Sequence, residues 1–236
     1  MKSIVKYCCL ILFLGIFQGG ESLSSSKGKS IALLTTPNQN PFIGAWNNAF
    51  KTTAEEAGIH VTNLTTPYDA AFQAQQIDDA MARGFDLIVL LPTNHQAIIP
   101  PLMRAKSAGV PIVLIVSPIQ DHEDLYISFV GPDHYELGRL AGENLAKALH
   151  SGGRKGGQVA ALTGSSEQLS TQLRVAGFRN AMESYSDIEI VAIEDGKWNT
   201  ALSERIAAQL LVRFAVRGGL DGIYGMADNQ ASGIIQ

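Results

Sequence analysis

The apolar run Ile31-Ala-Leu-Leu34 leads through Thr35 and Thr36 into the polar turn Pro37-Asn-Gln-Asn-Pro41-Phe42. Four consecutive apolar residues leave no polar face, so this segment reads as a strand buried on both sides. That is the setting of a parallel sheet covered by helices. The turn then lies at the strand's carboxyl end, where open α/β sheets receive ligands. One segment thus points to a fold class and to the edge of that fold where chemistry belongs.

The rest of the chain repeats the arrangement. Eight strand-length runs, from Ser30–Thr35 to Gly222–Tyr224, alternate with segments of helical period near 42–57, 70–83, 97–108, 135–149, 170–185 and 200–216. A further helix starts near Asn229. Strand–helix alternation with short turns predicts parallel sheets with helices on both faces. The rhythm breaks at 121–133, where Asp121-His-Glu-Asp124 precedes a short strand, 126–130, and then Gly131-Pro132. This places a first α/β unit at 30–130 and a second at 131–236, two doubly wound units facing a cleft. The second carries only three strand candidates and its last helix stops at Gln236, so the fold is expected to be incomplete at its C-terminus.

Lys2 and Lys6, the apolar run Cys8–Phe17 and the small residues after Gly19 have the order of a secretory signal peptide, placed at 1–22. Cys8 and Cys9 are the only cysteines and fall inside it, so the exported chain has no thiol and depends on packing for stability. A net charge of −4 with no basic tract argues against nucleic acid or an anionic membrane as partner. Nucleophile-elbow, phosphate-loop, dinucleotide and zincin signatures are all missing, and the five histidines lack ligand spacing, so no enzyme, metal or cofactor is expected. His122, among Asp121, Glu123 and Asp124, suits either a divalent ion or a solvated loop.

Capture of a polyhydroxylated ligand needs flat apolar surfaces against C–H groups and planar polar groups that bond paired hydroxyls. Such residues follow the strand ends: Asn38, Asn40 and Phe42 after the first, Asn94 after the third, Ser117 after the fourth, Arg174 at the start of the helix after 158–162, and Trp198 after 189–193. Each has a plainer reading. Asn40 before Pro41 suits a helix cap, and Arg174 suits a solvated charge. Trp198 suits a loop aromatic packed on its own unit. Trp46 and Phe50 share one helical face and read as core, whereas Phe42 in the first turn can reach outward.

Asn-Pro-Phe after the first strand, Gly84-Phe-Asp-Leu-Ile-Val-Leu-Leu-Pro92, Gly109-Val-Pro-Ile-Val113, Arg174-Val-Ala-Gly-Phe178 and an aromatic after the next strand form an ordered set. Together they resemble the ribose/galactose-type periplasmic binding proteins of ABC importers. That resemblance implies a monomeric protein that closes on a sugar between two α/β domains and presents it to a membrane permease. It implies hydroxyl binding by Asn40, stacking by Phe42 and Trp198, a hinge-side hydrogen bond from Arg174 and a hydroxyl contact from Thr36. The chain departs from the pattern at Ile43, Leu91, Val116-Ser117 and Ala227, where planar polar or aromatic contacts are lost. A ligand-binding ectodomain of a signalling or chemotaxis receptor is the alternative on the same fold.

Overall fold

The computed structural model describes residues 26–236; the expected signal peptide at 1–22 lies outside the described residues. Two parallel sheets carry the architecture. In chain order the first half comprises β1 (Ser30–Thr35), α1 (Pro41–Glu56), β2 (His60–Thr65), α2 (Ala70–Ala82), β3 (Leu87–Leu90), α3 (Ile99–Ser107), β4 (Ile112–Ile115) and β5 (Ser128–Val130). The second comprises α4 (His134–Ser151), β6 (Gly157–Thr163), α5 (Leu169–Glu183), β7 (Ile188–Asp195), α6 (Thr200–Ala215), β8 (Gly222–Gly225) and α7 (Asp228–Ile234). The strand order is β2-β1-β3-β4-β5 in the first sheet and β7-β6-β8 in the second, with all pairs parallel.

Side chains alternate across the central strands and both faces are covered. On β1, Ala32 and Leu34 join a core with Ile77 and Leu102, while Ile31 and Leu33 join another with Ile43 and Val89. On β6, Val159 and Ala161 pack with Phe178, and Ala160 and Leu162 with Leu210 and Phe214. Trp46 and Phe50 stack at 5.2 Å and pack on the β1 core, as their helical spacing predicts. Among the described residues no helix is long and apolar enough to cross a membrane.

The strand expected over 126–130 is shorter. Glu123–Leu125 forms a turn of 3₁₀ helix, and only Ser128–Val130 pairs, at the sheet edge beside β4. In the same loop Asp124 is held by Lys106 at 2.5 Å, and Lys106 keeps its carboxyl below the usual range. No group of three or more metal-ligating side chains comes together among the described residues.

The close packing of α4 on α5 matters for the site. A Cβ on Gly138 would collide with the Arg174 carbonyl, and one on Gly177 with the Tyr135 carbonyl. Glycine at both positions lets the two backbones touch. This sets Arg174 beside His134, the first residue of α4.

Candidate functional site

The carboxyl ends of β1 and β6 face each other across a cavity of about 490 Å³. Its walls include Thr36, Asn40, Phe42 and Tyr68 from segments that follow strands of the first sheet, and Arg174, Trp198, Asp228 and Asn229 from segments that follow strands of the second. Ile43, Leu91, Val116, Met226 and Ala227 give it apolar stretches. Five of the eight residues singled out by sequence therefore line one cavity: Thr36, Asn40, Phe42, Arg174 and Trp198.

Asn40 serves as the helix cap and also lines the cavity. Its Oδ1 accepts from the Phe42 and Ile43 amides at 3.0 and 3.3 Å, which leaves its amide nitrogen free of the cap. Pro41 occupies the first helical position, so the cap fixes how Phe42 leaves the helix. Phe42 is 59% exposed at the cavity wall, an apolar ring without a protein cover. Thr36 is buried, and its Oγ1 has no hydrogen bond of ordinary geometry. The Tyr68 hydroxyl interacts with it weakly, and burial pushes the Tyr68 phenol up from its usual range.

Arg174 lies in the second turn of α5, not at its start, and is largely buried instead of solvated. Its Nε donates to His134 Nδ1 at 3.1 Å and its Nη1 to the Met226 carbonyl at 2.8 Å. Burial lowers its pKa, and the guanidinium carbon lies 5.6 Å from the centre of the Trp198 ring. Three-point support of this kind leaves the remaining Nη hydrogens for whatever occupies the cavity.

His134 was not singled out from sequence. Its Nε2 bonds the Val116 carbonyl, so Nε2 carries the proton and Nδ1 is free to accept from Arg174. Burial, and then the Arg174 charge, lower its pKa against the raising effect of the Val116 bond. A charged imidazole here would face a guanidinium.

Trp198 stands on Gly164, where a Cβ would collide with the indole, and its Nε1 donates to Gln168 Oε1 at 2.6 Å. Its carbonyl accepts from Asn229 Nδ2 at 2.8 Å. Strained backbone gathers around the cavity. Tyr68, Val116, Lys197 and Trp198 have φ of 59°, 62°, 50° and 55°, a left-handed region that costs non-glycine residues and is costliest for β-branched Val116.

Three of the expected residues lie outside the cavity lining, and one of them, Asn38, turns its Oδ1 to Asn47 Nδ2 at 2.7 Å. Ser117 is fully buried and outside the cavity lining, its Oγ accepting from the Ser170 amide at 3.4 Å. The left-handed turn at Val116 reverses which residue faces the cavity, so Val116 lines it instead. Asn94 caps the Gln96 and Ala97 amides at 2.9 Å each and reaches Glu167, away from the cavity.

The periplasmic binding protein domain matches residues 31–236. The chain belongs to that family. The D-ribose/D-allose-binding protein of Pseudomonas aeruginosa is 29% identical over 147 residues, covering 61% of this chain and 44% of that protein. The D-apiose import binding protein of Paraburkholderia graminis is 27% identical over 181 residues, covering 77% and 56%. The chain thus spans about half the length of these curated relatives. A crystal structure of a galactofuranose binding protein shares the fold with a TM-score of 0.83 at 22% identity, covering 88% of this chain and 70% of that one.

Within this family frame, the positions where the chain departs from the ribose/galactose pattern acquire a place. Ile43, Leu91, Val116 and Ala227 all line the cavity. Tyr68 and Asn229, which the sequence reading missed as contacts, line it too. The available signal was positional: Tyr68 follows the carboxyl end of β2 and Asn229 that of β8, the same rule that picked out Asn40 and Trp198.

Proposed function

We propose that this chain is the ligand-capturing part of an exported solute-binding protein that takes a sugar or sugar derivative between the units 30–130 and 131–236 and delivers it to an ABC importer. The observation that carries this reading is a cavity walled by two aromatic rings, Phe42 and Trp198, and a largely buried guanidinium, Arg174, braced by His134 and the Met226 carbonyl, drawn from segments that follow strands of both sheets. Rings match the C–H faces of a sugar, and a planar donor matches neighbouring hydroxyls. Contacts with both units favour the closed arrangement, which is how a ligand shifts such an equilibrium.

The lining also bears on ligand class. Ile43, Leu91, Val116 and Ala227 replace polar or aromatic contacts with aliphatic surface. A hydroxyl buried against them would lack a partner, at a cost of about 1–3 kcal/mol. The ligand we propose is therefore a monosaccharide-sized ring with hydroxyls on one edge and a reduced or alkyl edge on the other. Related proteins named for D-ribose, D-allose and D-apiose set the size range.

Calorimetric titration of the secreted protein tests this with D-ribose, D-allose, D-apiose and L-arabinose, alongside the deoxy sugars D-fucose, L-fucose and L-rhamnose and their fully hydroxylated counterparts D-galactose, L-galactose and L-mannose. Micromolar binding of a deoxy sugar, at least tenfold tighter than its fully hydroxylated counterpart, is the expected outcome. No heat from any of the ten sugars would defeat the sugar reading, and a preference for the fully hydroxylated forms would defeat the deoxy reading.

A further inference from the structure

Gln168 immediately precedes α5 and is 3% exposed. A polar residue at a helix N-cap ordinarily turns its side chain onto the first amides. Gln168 makes no such bond. Its amide reaches across the seam between the two sheets: Nε2 donates to the Pro92 carbonyl, just past β3, at 3.0 Å, and Oε1 accepts from Trp198 Nε1 at 2.6 Å. Both ends of one rigid, planar group are therefore used, one on each unit.

Gly164 supplies a flat floor, and Arg174 lies over the ring face, but neither fixes rotation of the ring in its own plane. The bond from the indole N–H does. The backbone at Lys197 and Trp198 is held in the left-handed region, so this loop does not sit in its own conformational minimum. The segment carrying Gln168 is itself pinned to the first unit, since His95 Nδ1 contacts the Glu167 carbonyl at 3.0 Å and the Ser170 amide reaches Ser117 Oγ at 3.4 Å.

We propose that Gln168 is the positioning residue for Trp198: its side-chain amide sets the angle of the indole in the cleft and registers that angle on the first unit through the Pro92 carbonyl. A wall of the second unit is thereby aligned to the first before any ligand arrives. The significance for recognition rests on Trp198 being a ligand-stacking ring, as proposed above, whereas the positioning itself does not.

The test uses the secreted protein carrying Trp46→Phe, which leaves Trp198 as its single tryptophan, and reads the indole N–H resonance by nitrogen-15 NMR without ligand. In the Gln168 parent this resonance is expected downfield and slow to exchange. Gln168→Leu, of similar volume, removes both bonds: the resonance should move upfield and exchange about fivefold faster, as loss of one neutral hydrogen bond implies. Gln168→Glu, read below the pH at which its buried carboxyl ionises, keeps an acceptor for the indole and a donor for the Pro92 carbonyl and should restore the downfield position, a rescue that a merely space-filling role would not give. An indole resonance unmoved in Gln168→Leu, or not restored in Gln168→Glu, overturns the proposal. Titration of the whole sugar panel into the parent separates the two readings. Absence of binding counts against the sugar assignment and leaves the indole result standing.

Discussion

Arg174→Lys isolates what the planar guanidinium contributes. In the structure Nε and Nη1 are committed to His134 Nδ1 and the Met226 carbonyl, and Arg174 also lines the cavity. A lysine ammonium keeps the charge but is a single point with three donors, and it cannot reach two fixed acceptors and a ligand together. Either the ligand loses its charged donor or the ammonium leaves its braces. Hydrogen bonds to a charged group are worth about 1.5–3 kcal/mol each, so loss of one to the ligand weakens binding about ten- to 150-fold. The fold itself should survive, because the neighbouring packing of Phe178, Ala181 and Met182 is untouched. Calorimetry on the sugar selected by the panel gives the affinity, and circular dichroism checks the fold. Equal affinities for the arginine and lysine forms, with matching spectra, would refute the role of the two-pronged donor.

Trp198→Ala removes one wall and should weaken binding by about 1–3 kcal/mol with the fold intact; unchanged affinity would reject the stacking assignment. Gly138→Ala drives a methyl into the Arg174 carbonyl and should destabilise the protein by about 1–3 kcal/mol, read as a lowered Tm. His134 gives a pH effect whose sign follows from its lowered pKa. The unfolded histidine takes up a proton near pH 6.5 and the folded one only lower, so stability is full above about pH 6.5 and falls as the pH drops below it. His134→Gln should remove that part of the loss between pH 7 and 5, and an unchanged melting profile in the variant would contradict it.

The sheets were legible because their strands are short apolar runs between helical periods, a pattern that tertiary context rarely overrides. Asn40 and Phe42 were legible because an Asn-Pro step at a strand end fixes a cap and aims the next side chain. Ser117 was misread for a physical reason. Nothing in Val116-Ser117 signals that a β-branched residue adopts φ of 62°, yet that turn decides which of the two faces the cavity. Arg174 looked solvated because helical period alone does not reveal that Gly138 and Gly177 let α4 close over α5. Tyr68 and His134 were missed as isolated polar aromatics, meaningful only once β2 and α4 are placed. Ligand class was less legible than ligand site, since it depends on which aliphatic side chains replace polar ones on the cavity wall.

Closure of the two units on one ligand changes the distance across the cleft. Single cysteines introduced by Ala71→Cys on α2 and Glu204→Cys on α6, both at exposed positions, provide spin-label sites on opposite sides of the cleft. Electron–electron resonance distances measured with and without the bound sugar should show one shorter, narrower distribution on binding. The Arg174→Met form should keep the ligand-free distribution at the same sugar concentration. A distribution that does not change when calorimetry shows the sugar bound would contradict capture between the units.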